Sequence, residues 1–185
     1  MANSFIFVRH GQSQANADGI IADAHAKLTQ NGIEQARTTA NEVKGLGIKF
    51  VACSPYLRAQ QTAETIAGVL GIDLNHIKIV EELRERGLGE LEGNPKNHPG
   101  PWYTQADAPT LETKQHLLDR MNDALYKLAA LADGAGRLLV VGHAISGFYL
   151  AEAAKGIRTV SEIGDDAQLG NADYVEIEFP KIGKT

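Results

Sequence analysis

The residues best suited to chemistry stand where apolar runs stop. Arg9 and His10 follow Phe5 to Val8, with no acid beside them to balance their charge. Ser54 and Pro55 follow Phe50 to Cys53, with Arg58 shortly after, and Gly142, His143 and Ala144 follow Leu138 to Val141. A neutral imidazole can act as nucleophile or base. Two guanidinium forks, with the N–H groups of a helix start, complement a phosphate dianion. At an effective dielectric near 20, each arginine contributes roughly 4 kcal/mol before desolvation for each unit of phosphate charge about 4 Å away. If these residues meet, the missing negative charge is that of something that binds.

The elements around them make a meeting plausible. Continuous apolar runs are the mark of strands buried on both faces, which belong to parallel sheets covered by helices; Ile77-Lys78-Ile79-Val80 is a fourth strand candidate. Thr29 reads as the N-cap of a helix from Gln30 to Leu46, stopped by Gly47. Ser54 and Pro55 read as N-cap and first residue of a helix that runs to about Leu70 and is capped by Gly71. A further helix follows Pro109 and Thr110, carries Leu111, Leu118, Met121, Leu125 and Leu128, and ends near Asp133. A short one spans Ile145 to Lys155. Val175, Ile177 and Phe179 alternate with Glu176 and Glu178, the period of an edge strand, ended by Pro180. The expected architecture is an α/β three-layer sandwich, a mostly parallel central sheet flanked by helices, with an antiparallel edge strand and a short lid insertion at about 87–109. In such sheets ligands bind outside the carboxyl ends of the strands, where His10, Ser54 and His143 would converge.

A length of 185 residues suits a single domain over 1–185, and 43% hydrophobic with 22% charged residues excludes a disordered or collagen-like chain. The formal net charge of -5 argues against a nucleic-acid partner. Cys53 is the lone cysteine, which excludes an internal disulfide and suits a reducing cytoplasm. No apolar run approaches a membrane span or a signal-peptide core, so no membrane partner is expected. Gly87, Gly89 and Gly93 do not have the spacing of a nucleotide-binding loop, and no cofactor is expected.

The stretches VRHGQSQAN, SPYLRAQQTAE, ELRERGLGELEG and VVGHAISG, in that order, resemble the four motifs of the histidine phosphatase superfamily, in the branch similar to phosphoglycerate mutase; LTQNGIEQA resembles a fifth shared segment. The resemblance implies a phosphomonoester hydrolase that works through a phosphohistidine on His10. Arg9, Arg58 and His143 would hold the phosphoryl oxygens, Asn16 would add a polar contact, and Ala144 would offer its backbone N–H. Glu85, in Leu83-Arg84-Glu85-Arg86, would be the proton donor. The implied partner is a small-molecule phosphomonoester, with no metal.

The departures favour hydrolysis over phosphoryl return. Leu88 stands where mutases usually carry tyrosine, and the following loop has no adjacent arginine pair, offering Lys96 and Lys114 as its strong cations beside Pro101, Trp102 and Tyr103. Trp102 admits two roles, substrate contact or packing of the lid. His25, His76, His98 and His116 read as surface residues, with His98 able to reach substrate from the lid, and Cys53 as a core residue. Three other functions compete: a cofactor-dependent phosphoglycerate mutase, a metal hydrolase using His10, His143 and Glu85, and a phosphate-binding module without turnover. The substrate and the oligomeric state stay open.

Overall fold

A computed structural model describes residues 3–96, 103–104, 106–133, 136–163 and 169–180. Trp102, Pro101 and His98 lie outside these, so their expected roles do too. Five strands form one sheet in the order β3-β2-β4-β1-β5: β1 is Ser4–Arg9, β2 Ile48–Cys53, β3 Ile77–Ile79, β4 Arg137–Gly142 and β5 Tyr174–Glu178. All pairings are parallel except that of β5 on β1. This is the mostly parallel sheet with an antiparallel edge that the patterning implied.

Helices cover both faces, and the two-residue period of the strands sorts their side chains between them. Ile6, Val8, Val51, Cys53, Leu139 and Val141 pack toward α2 (Gln30–Val43) and α3 (Leu57–Leu70). Phe5, Phe7, Ala52, Leu138 and Val140 pack toward α4 (Lys114–Ala132) and α5 (Ala144–Ala154). A short helix, α1 (Gln14–Ala17), follows β1 and is closed by a capping box between Ser13 and Asn16. Cys53 is fully buried, and burial pushes its thiol up to about 12, so it is a core residue.

Thr29 caps α2 by accepting the Gly32 N–H, as expected. The helix ends at Val43 rather than Leu46; a 3-10 turn fills the gap before Gly47 at φ +70°. Gly71, at φ +69°, closes α3.

Two helix starts differ from the sequence reading. Helix α3 begins at Leu57 rather than Pro55, because the Ser54 hydroxyl takes the Tyr56 N–H at 3.2 Å and Leu57 N–H donates to Ala24 O at 3.0 Å. Helix α4 begins after Thr113, whose hydroxyl accepts the His116 N–H, rather than after Pro109 and Thr110. Leu111 is drawn instead into a separate apolar cluster with Ile21 and with Leu88, Tyr103 and Ala108 of the segment expected to form a lid.

Candidate active site

The carboxyl ends of β1, β2 and β4 are adjacent in the sheet, so His10, Ser54 and His143 come together as the topology demanded. Their imidazole centroids lie 5.2 Å apart for His10 and His143, and both rings are buried.

His10 is held in one tautomer. Its Nδ1 lies 2.7 Å from the carbonyl oxygen of Gly11, an acceptor, so Nδ1 carries the hydrogen and Nε2 presents a lone pair. Burial first, then the positive charge of Arg58, lowers the His10 pKa well below its ordinary value and keeps the ring neutral. Arg58 donates from Nε to that Nε2 at 3.1 Å and from a terminal nitrogen to Asp23 O at 2.6 Å, with its guanidinium over the Tyr56 ring. Arg9 donates to Leu169 O at 2.6 Å, and its Nε is buried without a partner among the described residues. Burial lowers the pKa of both arginines.

The backbone that aims His10 is wedged against α2. A Cβ on Gly11 would meet Gly32 O at 2.3 Å, and one on Gly32 would meet Gln12 O at 2.1 Å. The two glycines therefore interlock the loop after β1 with the first turn of the helix. Asn171 and Ala172 brace the same loop from β5's side, donating to the carbonyl oxygens of Arg9 and His10.

His143 is the N-cap of α5, and its Nε2 lies 2.7 Å from Ser54 Oγ. Burial, then Arg58, lowers its pKa well below the ordinary histidine value. Glu85 is singled out from Glu81, Glu82, Glu90 and Glu92 by what it touches. Its carboxylate accepts from Ile145 N at 3.2 Å and Ser146 N at 2.8 Å, in the first turn of α5, and from Arg86 N at 2.9 Å. Its charge is felt by Arg9 and Arg58. Ala144 is the first residue of α5, a position whose N–H has no intrahelical acceptor. The start of α3, by contrast, has its Tyr56 and Leu57 N–H groups committed to protein and does not present them to a ligand. Asn16 uses its side-chain oxygen for the Ser13 cap, leaving its amide nitrogen as the group able to meet a ligand.

A match to the model of the histidine phosphatase superfamily (branch 1) runs over residues 5–185. The chain belongs to that superfamily. A probable phosphatase of Schizosaccharomyces pombe is 34% identical over 151 residues, 76% of this chain and 52% of the relative. A probable phosphoglycerate mutase of Escherichia coli is 35% identical over 154 residues, 75% of this chain and 68% of that protein. The aligned region thus spans about half of one relative and about two thirds of the other. A mycobacterial glucosyl-3-phosphoglycerate phosphatase complexed with VO3 superposes with a TM-score of 0.77 at 20% identity, over 95% of this chain and 90% of that one, a likeness of fold.

Sequence reasoning missed two features of this superfamily member's site. Lys96 faces the cationic cluster: although much of its side chain is exposed, desolvation and then Arg9 and Arg58 lower its pKa, and it adds to the charge felt by His10. Pairing of 93–96 with 19–21, including Ile21 N to Asn94 O and Lys96 N to Gly19 O, carries it there, a long-range contact with no local signal. The second feature is the buried fork of Arg120 on Glu112, at 2.9 and 2.6 Å. Arg120 also donates to the carbonyl oxygens of Glu82, Arg84 and Glu85, which fixes the segment that presents the Glu85 side chain. A charged residue interrupting the apolar stripe Leu117, Met121, Ala124 was the available clue.

Proposed function

We propose that this chain is a metal-independent phosphomonoester hydrolase acting through a phosphohistidine on His10. The observation that carries the reading is the neutral, tautomer-fixed His10, with an Nε2 lone pair beside the Arg58 guanidinium. On substrate binding, Arg58 transfers its N–H bond from Nε2 to a phosphoryl oxygen, which frees the lone pair to attack phosphorus in line. Arg9, Arg58, His143, Asn16 and the Ala144 N–H hold the equatorial oxygens, and Lys96 extends the cationic rim toward the rest of the substrate. Glu85, carrying a proton taken up as the phosphomonoester binds, gives it to the leaving alkoxide as the ester P–O bond breaks, and as carboxylate then takes a proton from the water that cleaves phosphohistidine, which restores the acid. Fixed cations and the committed nitrogens of His10 leave poor ligands for a divalent metal.

The substrate class is a small phosphomonoester, and the whole chain acts as one domain with residues 87–109 as its lid. A single buried cysteine supports a cytoplasmic setting. Among the described residues, no helix is long and apolar enough to cross a membrane. Relatives with mutase names make isomerisation the second reading. Leu88 argues for hydrolysis, since it is packed against Ile21 and Leu111 and brings no hydroxyl to the site.

The test is a panel of phosphomonoesters assayed with excess chelator. Release of orthophosphate, with an acid-labile, alkali-stable radiolabel on the wild type that His10→Ala lacks, is expected. Complete loss of activity restored by added metal would overturn the mechanism. Conversion of 3-phosphoglycerate to its 2-isomer without orthophosphate would favour the mutase.

A further inference from the structure

Ser54 takes no part in the chemistry described so far, yet it is fully buried and in contact with His143. The sheet fixes their relation: Cys53 pairs with Val141, and Ser54 N–H donates to Val141 O at 3.0 Å, which sets the hydroxyl beside the residue that follows β4. A serine hydroxyl has one proton to donate and two lone pairs. One lone pair takes the Tyr56 N–H.

The direction of the 2.7 Å bond between Ser54 Oγ and His143 Nε2 can then be worked out by satisfaction. If Nε2 carried the ring hydrogen, Ser54 would accept twice, its own proton would lack an acceptor among the described hydrogen bonds, and His143 Nδ1 would be a bare lone pair. If Ser54 donates, its proton and one lone pair are both used, and the ring is left with one unpaired donor, an N–H at Nδ1. That atom is buried and has no partner among the described residues. The neighbours decide what the leftover group should be. Arg9 and Arg58 collect an anion here, which an N–H complements and a lone pair repels.

We propose that Ser54 is a positioning residue whose hydroxyl donates to Nε2 of His143, holds the ring as its Nδ1–H tautomer, and so gives the bound phosphoryl group a hydrogen-bond donor. The role toward phosphoryl, and the argument from a bound anion, rest on the phosphomonoesterase reading; the need of the Ser54 proton for an acceptor does not. Burial keeps His143 neutral, so its tautomer is a real choice between two states.

Long-range proton–nitrogen correlation spectra of 15N-labelled protein, with His143 assigned from His143→Gln, read the tautomer directly. Wild type is expected to show hydrogen on Nδ1 and none on Nε2, with the Nδ1 signal shifting on addition of orthophosphate. Hydrogen on Nε2 in the wild type overturns the proposal whatever the variants do. Ser54→Ala is expected to mix or reverse the tautomers and to lower kcat/KM roughly 10- to 100-fold, less than full loss of one oxyanion donor; Ser54→Thr, which keeps the hydroxyl, is expected to restore the wild-type tautomer. A changed tautomer with unchanged kcat/KM overturns the role toward phosphoryl. Should wild type hydrolyse no phosphomonoester, the phosphatase reading fails, while the spectrum still decides the tautomer.

Discussion

Replacing Gly32 by alanine tests whether the wedge between α2 and the loop after β1 aims the nucleophile. The added Cβ would sit 2.1 Å from Gln12 O and 2.9 Å from Gln12 N, where ordinary contact begins at 3.4 Å. Both neighbours are backbone, so relief requires the loop and the helix to part by about an ångström. The loop cannot yield without carrying Gly11, whose carbonyl oxygen holds His10 Nδ1, and the helix cannot yield without straining the Thr29 N–H to Gln12 O bond at 2.9 Å. A displacement near 1 Å at a reacting group costs on the order of 10²-fold in rate, and overpacking of this kind costs about 1–3 kcal/mol of stability. Gly32→Ala should therefore lower kcat for p-nitrophenyl phosphate roughly 100-fold while the protein stays folded at 25 °C by circular dichroism, with a reduced Tm. Gly68→Ala is the control: the same change in α3, with nothing within 4 Å of the added carbon, should raise stability by about 0.5–1 kcal/mol and leave kcat alone. A Gly32→Ala enzyme whose kcat stays within twofold of wild type would refute the reasoning.

Three further outcomes are expected. Glu85→Gln should reduce kcat on alkyl phosphates by about 10²–10⁴-fold and much less on p-nitrophenyl phosphate, whose leaving group needs no proton; equal losses on both would remove the general-acid role. Arg58→Ala should lower kcat/KM by about 10³-fold, from a Coulomb contribution of roughly 4 kcal/mol at 4 Å and an effective dielectric near 20. A loss under tenfold would mean that Arg58 does not reach phosphate. The lowered pKa values of His10 and His143 also make stability depend on pH. Above about 6.5, the unfolded-state value, both states carry neutral rings and the full stability is present; as pH falls below it the unfolded chain takes up protons that the native rings refuse. Stability should then drop by up to about 1.4 kcal/mol per pH unit for each ring, seen as a falling Tm between pH 6.5 and 5, and His10→Gln should flatten that slope. A Tm constant over this interval would contradict the buried, neutral imidazoles.

Much of this protein was legible along the chain because local rules govern it. Unbroken apolar runs at Phe5 to Val8, Phe50 to Cys53 and Leu138 to Val141 have the pattern of strands covered on both faces, and polar residues right after such strands lie at the sheet's carboxyl edge, so the meeting of His10, Ser54 and His143 was legible from composition and order; Ile77 to Val80, broken by Lys78, is instead an edge strand with Ile79 exposed. Thr29 through its hydroxyl, and Gly47 and Gly71 through left-handed backbones, punctuate helices by local rules, and each does so in the structure. The starts of α3 and α4 were misread where a tertiary partner intervened: Ala24 O met the Leu57 N–H, and the Ile21 cluster claimed Leu111. Hydrogen-bond commitments were not readable at all. Only the family resemblance picked Glu85 out of five glutamates, and its contacts with the start of α5 and the Arg120–Glu112 fork behind it came from the fold; Lys96 was a loop cation until 19–21 paired with its segment. The need for glycine at both 11 and 32 is a contact between backbones 21 positions apart, which the sequence does not show. Periodicity and punctuation are properties of neighbours in sequence. The tautomer of an imidazole, the neighbours of a carboxylate and the gap between two backbones are set by groups that only folding brings within hydrogen-bond reach.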